Sequence, residues 1–97
     1  MEKKQPQQLS DLPVNFTTLL LSLASSAVLA LGLEKNPHTN QFEKDLDLAR
    51  FNIDMLKLLK DKTKGNLTTD EQQFLDTVIN DLQMKFVYVN QNQEPKN

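Results

Sequence analysis

The chain has 97 residues, no cysteine, one histidine and a formal net charge of −2, which leaves room for one domain and excludes a disulfide framework. Its lysines alternate with acidic residues, and this argues against a nucleic-acid partner, because such binding draws most of its affinity from clustered Lys and Arg at phosphates. A domain of this size buries only about 60% of the surface that its unfolded chain exposes, so oligomerisation is a common source of added stability.

The two ends of the chain are polar and rich in Gln, Lys, Asn and Pro. This composition cannot bury enough apolar surface to offset the entropy of ordering. We therefore predict disordered tails over residues 1–12 and 90–97, flanking a single helical domain over residues 13–89.

The first predicted helix covers residues 16–31. Asn15 is placed to cap its start, and Gly32 is placed as a left-handed stop. The twenty residues from Val14 to Leu33 carry no charge, so a membrane span and a secretory signal are alternatives. Both are disfavoured by the many hydroxyl side chains and by flanking charges with little bias, and we expect a buried, uncleaved helix.

The link over residues 34–44 contains Asn36-Pro37 and is predicted to be a loop. A second helix follows over residues 46–64, capped by Asp45 or Asp47 and ended by Gly65. Its outward face alternates acids and bases at spacings that form ion pairs on a helix.

The third predicted helix covers residues 69–88. Thr68 followed by Glu71 matches a capping box, the clearest local signal in the chain. The apolar residues Leu75, Ile79, Leu82 and Phe86 then recur at spacings of four, three and four. They form the stripe of an amphipathic helix.

The apolar arcs of the first and second helices are wide, roughly 200° and 220° on a helical wheel. We expect such arcs to exceed what three helices of one copy can cover, and we predict an all-α fold assembled as a homo-oligomeric helical bundle, with a two-fold dimer favoured. The candidate interface residues are Phe16, Leu20, Ser22, Leu23, Ala24, Ser26, Ala27, Ala30, Leu31, Phe51, Met55 and Leu58.

Two arrangements of the first helix in that interface are open. In one, the small residues Ser22, Ser26 and Ala30 allow two helices to approach closely. In the other, an apolar strip makes the contact between subunits and the small residues face water. That strip is Leu20, Ala24, Ala27 and Leu31.

No group of residues forms a recognisable reactive site. His38 lies beside Pro37 without a second His or Cys, so it is expected to be a surface residue and not a metal ligand or a general base. The chain has only two glycines and no glycine-rich phosphate loop. We predict no catalytic residue, no cofactor and no metal, and thus no enzymatic activity.

Two stretches of the sequence resemble a known family. The strings Leu-Ser-Leu-Ala-Ser-Ser-Ala (residues 21–27) and Lys-Thr-Lys-Gly-Asn-Leu-Thr (residues 62–68) are similar to those of the small bacterial domain-of-unknown-function family DUF1844. The resemblance covers about residues 14–89 and implies a cytosolic, helical protein without a known activity. The Asn-Pro-His-Thr-Asn link (residues 36–40) departs from the family, which more often has an acidic, glycine-containing turn.

These observations favour a non-enzymatic, cytoplasmic protein that binds copies of itself. One alternative is a small membrane-associated protein anchored by a helix over residues 14–33. Another is a helical adaptor that binds a different protein through its surplus apolar face.

Overall fold

The computed structural model describes residues 11–92. Three helices are present, α1 (Phe16–Ala30), α2 (Leu46–Lys62) and α3 (Thr69–Gln91), and a β-hairpin joins the first two. Its strands are β1 (Leu31–Asn36) and β2 (Gln41–Lys44). Residues 1–10 and 93–97, which make up most of the two predicted tails, lie outside the described residues.

Each helix begins at a side chain that satisfies a free backbone amide. Asn15 accepts a hydrogen bond from the amide of Thr18 at 2.8 Å, and Asp45, not Asp47, accepts one from the amide of Leu48 at 3.1 Å. Thr68 and Glu71 form the predicted reciprocal capping box. These bonds confirm the helix starts, because amides of the first turn have no partner within the helix.

The helices alternate in direction along the chain. At the start of α2, the amide of Asp45 donates to the carbonyl of Ala30, the last residue of α1, at 2.7 Å. Farther into α2, Asn52 contacts Ser26, which lies earlier in α1. The two helices therefore run antiparallel. The Lys60–Asp76 ion pair and the Arg50–Phe86 contact together show that α3 in turn runs antiparallel to α2.

Apolar side chains of all three helices meet in a main core. Its buried members are Leu20, Ala27, Ile53, Leu56, Leu75, Ile79 and Leu82. A smaller cluster of Ala30, Leu31, Ala49 and Val89 closes the end next to the hairpin. The stripe predicted on α3 therefore faces the core, as expected for an amphipathic helix.

The hairpin corrects the prediction of an all-α fold with a loop over residues 34–44. The strands pair antiparallel, with Lys35 opposite Phe42 and an irregularity between Leu31 and Lys35. Gly32 adopts the predicted left-handed conformation, with φ of 77°, but the chain continues directly into a strand. Between the two strands, the side chain of Asn36 accepts a hydrogen bond from the amide of His38 at 2.8 Å. This bond forms an Asx turn.

The helix ends also differ from the predictions. The first helix stops at Ala30 rather than residue 31, and the second at Lys62 rather than residue 64. The third continues to Gln91 rather than residue 88, which carries it into the predicted tail. Gly65 is left-handed as expected, with φ of 80°, but it lies in a turn after the helix, which the amide of Asn66 closes by donating to the carbonyl of Thr63 at 2.8 Å.

The end of α1 also bears on the predicted membrane anchor over residues 14–33. Only 15 of these residues are helical, and residues 31–33 belong to β1. Between residues 11 and 92, no helix combines the length and apolar character that a bilayer span requires. A continuous helix over residues 14–33 is thus absent from the structure.

Loss of the Thr68 cap should destabilise the fold measurably. Thr68→Ala removes the oxygen that accepts from the amide of Glu71 at 3.1 Å, and we expect the free energy of unfolding to fall by about 1 kcal/mol. Urea denaturation measures this, with Thr69→Ala as a control one residue inside the helix. An equal midpoint for Thr68→Ala and the unmodified protein would contradict a stabilising cap.

Candidate interaction surface

The contact between α1 and α2 is organised around one buried polar residue. The amide of Asn52 donates to the hydroxyl of Ser26 at 3.0 Å and to the carbonyl of Leu48 at 3.1 Å, and the residue is only 5% exposed. A buried amide is costly unless it is hydrogen-bonded, so these bonds fix how the two helices face each other.

Beside this contact, α2 exposes an apolar stripe. Leu48, Phe51 and Leu58 are 44%, 57% and 47% exposed, and half-buried Met55 lies between the last two. Their spacings of three, four and three place all four side chains on one side of the helix. Asn52 borders this stripe, so the stripe lies on the side of α2 that is next to α1.

The neighbouring side of α1 extends the same surface. Leu19 is 44% exposed and Ser22 is exposed. Both share a side of the helix with Ser26, at spacings of three and four. We call the six residues Leu19, Ser22, Leu48, Phe51, Met55 and Leu58 the α1/α2 face.

The α1/α2 face is large for a domain of this size. Its exposed Leu and Phe side chains together present roughly 350 Å² of apolar surface, within the range at which the largest patch of a soluble protein is often functional. A standard interface buries about 800 Å² per partner, a little over half of it apolar. The face could therefore supply most of the apolar area of one interface.

The predicted interface residues fall into three groups. Ser22, Phe51 and Leu58 are exposed and belong to the α1/α2 face. Half-buried positions are Phe16, Leu23, Ala24, Ser26 and Met55. Buried within the single copy are Leu20, Ala27, Ala30 and Leu31.

This distribution bears on the two arrangements considered for α1. The apolar strip contributes Leu20 and Ala27 to the main core and Leu31 to the smaller cluster. The small strip is interrupted, because Ser26 is bonded to Asn52 and Ala30 is buried. Only Ser22 of the two strips is exposed, so the accessible apolar surface has its centre on α2.

Sequence reasoning missed Asn52 as a structural residue. A signal was available: Asn52 precedes buried Leu56 by four residues and follows buried Ala49 by three, which places it within the apolar arc of α2. A polar residue inside such an arc needs an internal partner. Ser26 was predicted on the neighbouring helix, but only as a possible subunit contact.

A separate groove of about 250 Å³ lies between α2 and α3. The guanidinium of Arg50 lies 5.2 Å from the centroid of the Phe86 ring at one side of it, a cation–π contact. Its floor is apolar and its rim carries charges of both signs. The lining residues are Arg50, Ile53, Asp54, Lys57, Gln83, Phe86 and Val87.

An ion pair joins α2 and α3 at the other end of their contact. The Lys60 ammonium lies 2.8 Å from the Asp76 carboxylate, and this hydrogen bond lowers the pKa of Asp76 below its ordinary value of 3.8. Partial desolvation opposes the shift and the Gln72 amide supports it. The folded state therefore favours the ionised carboxylate.

The direction of this shift predicts how acid acts on the ion pair. Because the pKa of Asp76 is lower in the folded than in the unfolded state, the stabilisation is complete above about pH 4 and is lost as the pH falls through the folded value. Asp76→Asn should therefore unfold more easily at pH 7, with a difference that shrinks below about pH 4. Urea midpoints across this range test it, and Lys60→Met should behave alike. A constant difference at every pH would contradict the prediction.

The described residues hold no group of three or more His, Asp or Glu side chains able to bind a metal ion. His38 is exposed at the tip of the hairpin, where its amide takes part in the Asx turn. Residues 11–92 present several exposed surfaces, and the α1/α2 face is one that combines apolar residues of two helices.

Fold and surface together define a small three-helix domain with a hairpin insertion and an exposed apolar face. The chain belongs to the family described as a domain of unknown function, DUF1844, whose model matches residues 13–88. This match confirms the resemblance seen in the sequence. Neither the curated proteins nor the solved structures gave a match to the chain.

Proposed function

We propose that this chain is a non-enzymatic interaction protein that binds a second copy of itself through the α1/α2 face. The observation that carries the proposal is the exposure of Phe51 and Leu58 beside Leu48 on one side of α2. An isolated apolar residue on a surface needs no explanation, but a continuous stripe of them supports an interaction site.

The next side of α2 around the helix supports the assignment by contrast. It carries Asp47, Arg50, Asp54, Lys57 and Asp61, all exposed. Such alternating charges suit a helix face in contact with water. The charged and apolar sides of the same helix thus differ sharply, and the apolar side is the one continuous with Leu19 and Ser22 of α1.

A second copy is the simplest occupant because a two-fold axis pairs the same surface on both subunits. Under this symmetry, the apolar stripe of one copy meets the same apolar stripe of the other copy. Phe51, the most exposed apolar residue of the face, is an aromatic residue of the type that dominates binding energy when it enters a pocket on a partner.

Single introduced cysteines can test this proposal, because the chain has no cysteine of its own. Leu48→Cys, Phe51→Cys and Leu58→Cys place the thiol on the α1/α2 face, and the matched control Lys57→Cys places it about 100° or more around the same helix from each of these positions. Under mild oxidation we expect disulfide-linked dimers to form faster for the face variants. When two copies pair through the α1/α2 face, at least one of the three positions lies near the same position of the second copy. Equal rates for Lys57→Cys and the face variants would contradict the proposal.

The compartment is part of the same proposal. We propose a cytoplasmic protein, on the basis of the hydroxyl-rich strip of α1 and the weak bias of its flanking charges. Fractionation followed by mass spectrometry of the recovered chain tests this. Cleavage near Ala30, or release from membranes only by detergent, would contradict it.

A further inference from the structure

The guanidinium of Arg50 has no acidic partner, although two lie within reach on its own helix. Asp47 precedes Arg50 by three residues and Asp54 follows it by four, both at spacings that form ion pairs on a helix. Among residues 11–92, the ion pairs present join other residues. The guanidinium instead lies 5.2 Å from the centroid of the Phe86 ring on α3. It therefore stands at the groove between α2 and α3 with no carboxylate of the described chain bound to it.

An arginine in this position is suited to hold an oxyanion. Its N–H donors form a planar fork that matches the two oxygens of a carboxylate. The aromatic ring attracts the charge through its π face, and within residues 11–92 the guanidinium makes no hydrogen bond. Its donors are thus available. The cation–π contact also restrains the side chain, so that less conformational freedom is lost when an anion binds.

The groove beside Arg50 is lined mainly by apolar side chains. Ile53 is 4% exposed and Val87 is 51% exposed, and Phe86 is half-buried. Gln83 is also half-buried, and its side-chain amide makes no hydrogen bond within residues 11–92. The groove thus offers an apolar surface next to a fixed cation and a free amide.

The charges at the rim indicate how much charge the ligand carries. Arg50 and Lys57 contribute two positive charges and Asp54 contributes one negative charge, which gives the rim a net charge of +1. This balance suits a single carboxylate better than a phosphate or a nucleic acid, which concentrate more negative charge and need clustered cations.

The size of the groove indicates how large the ligand is. Its volume of about 250 Å³ is below the roughly 300–1,000 Å³ of pockets for drug-sized ligands. Arg50 and Lys57 are about 10 Å apart along α2, a length that suits an unbranched chain of about eight carbons. We propose that this groove binds an alkyl monocarboxylate, with Arg50 holding the carboxylate and the apolar lining covering the chain.

This site goes beyond the proposed function and does not depend on it. Arg50 lies about 100° around α2 from Phe51. The other wall of the groove is α3, which contributes no residue to the α1/α2 face. The groove therefore stays open when two copies pair.

Titration with octanoate, followed by two-dimensional NMR of the full chain, tests the proposal. Octanamide has the same chain and a neutral head, and acetate has the same head without the chain. Arg50→Gln removes the anchoring charge, and the matched control Lys57→Gln removes the other cation of the groove. Circular dichroism establishes that both variants are folded.

We expect octanoate to shift the amide signals of Ile53, Gln83 and Val87 with a dissociation constant of about 1 mM. Octanamide and acetate should each bind roughly tenfold more weakly or not at all, and Arg50→Gln should weaken octanoate binding by a similar factor. Lys57→Gln should bind octanoate nearly as the unmodified chain does.

Three results would each overturn the carboxylate site. Octanamide could bind as tightly as octanoate, or Arg50→Gln could bind octanoate as tightly as the unmodified chain. Octanoate could also leave the groove signals unchanged, including the case in which it shifts Phe51 and Leu58 alone. None of these results bears on whether two copies pair, because the mass of the protein in solution measures pairing separately.

Discussion

Phe51→Glu is expected to weaken self-association roughly a hundredfold or more, equivalent to about 3 kcal/mol of binding free energy. The side chain is 57% exposed in the single copy, so the substitution disturbs little of the core. In the paired state, the new carboxylate would be buried among apolar side chains without a partner, which is the costly situation for a charge.

The control for this prediction is Asn66→Glu, which adds the same charge outside the α1/α2 face. Light scattering after gel filtration gives the mass of each protein at the same loading concentration, and urea denaturation shows whether each remains folded. We expect a lower mass for Phe51→Glu only. If the mass of Phe51→Glu equals that of the control, the α1/α2 face does not hold the copies together.

Leu56→Ala should have the largest effect on folding within one copy. Leu56 is completely buried in the main core, and its truncation removes apolar contacts and leaves a cavity. We expect a loss of about 2–5 kcal/mol in the free energy of unfolding. This is a large share of the stability of a small domain, which is commonly about 5–15 kcal/mol.

This second prediction is best measured in the Phe51→Glu background, where association adds nothing to stability. Leu58→Ala is the matched control, because the same truncation is made two residues away at a side chain that is 47% exposed. We expect it to cost less than about 1 kcal/mol. Equal losses at both positions would mean that α2 does not bury Leu56 as the structure shows.

Features that depend on neighbouring residues in the chain could be read from the sequence. The Asn15 cap, the capping box of Thr68 and the left-handed glycines each require a particular side chain at a fixed offset from a helix end. The structure has all of them. The core stripe of α3 was also predictable, because a periodicity of 3.6 residues reveals which face of a helix is apolar.

The hairpin was not predictable from the same signals. Its second strand, Gln41–Lys44, is exposed at all four positions, Phe42 included, so it lacks the alternation that identifies a half-buried strand. It is held by contacts between residues far apart in the chain, which a local pattern does not reveal. One of these is the hydrogen bond from the amide of Asp45 to the carbonyl of Ala30. The link was therefore read as a loop around Asn36-Pro37.

The candidate surface could be predicted only in part. A helical wheel gives the width of an apolar arc but not how much of it the neighbouring helices cover. The arc of α1 is largely covered, because Leu20 and Ala27 pack against residues of both other helices. The arc of α2 is covered on one side only, which leaves Phe51 and Leu58 exposed.

The central claim is that the exposed apolar face pairs copies of this chain, and the mass of the unmodified protein in solution tests it most directly. Light scattering after gel filtration at about 100 μM would detect even a weak micromolar dimer. The structure leads us to expect a mass of at least twice the 11.1 kDa of one chain. A folded protein with the mass of a single chain at that concentration would contradict the claim.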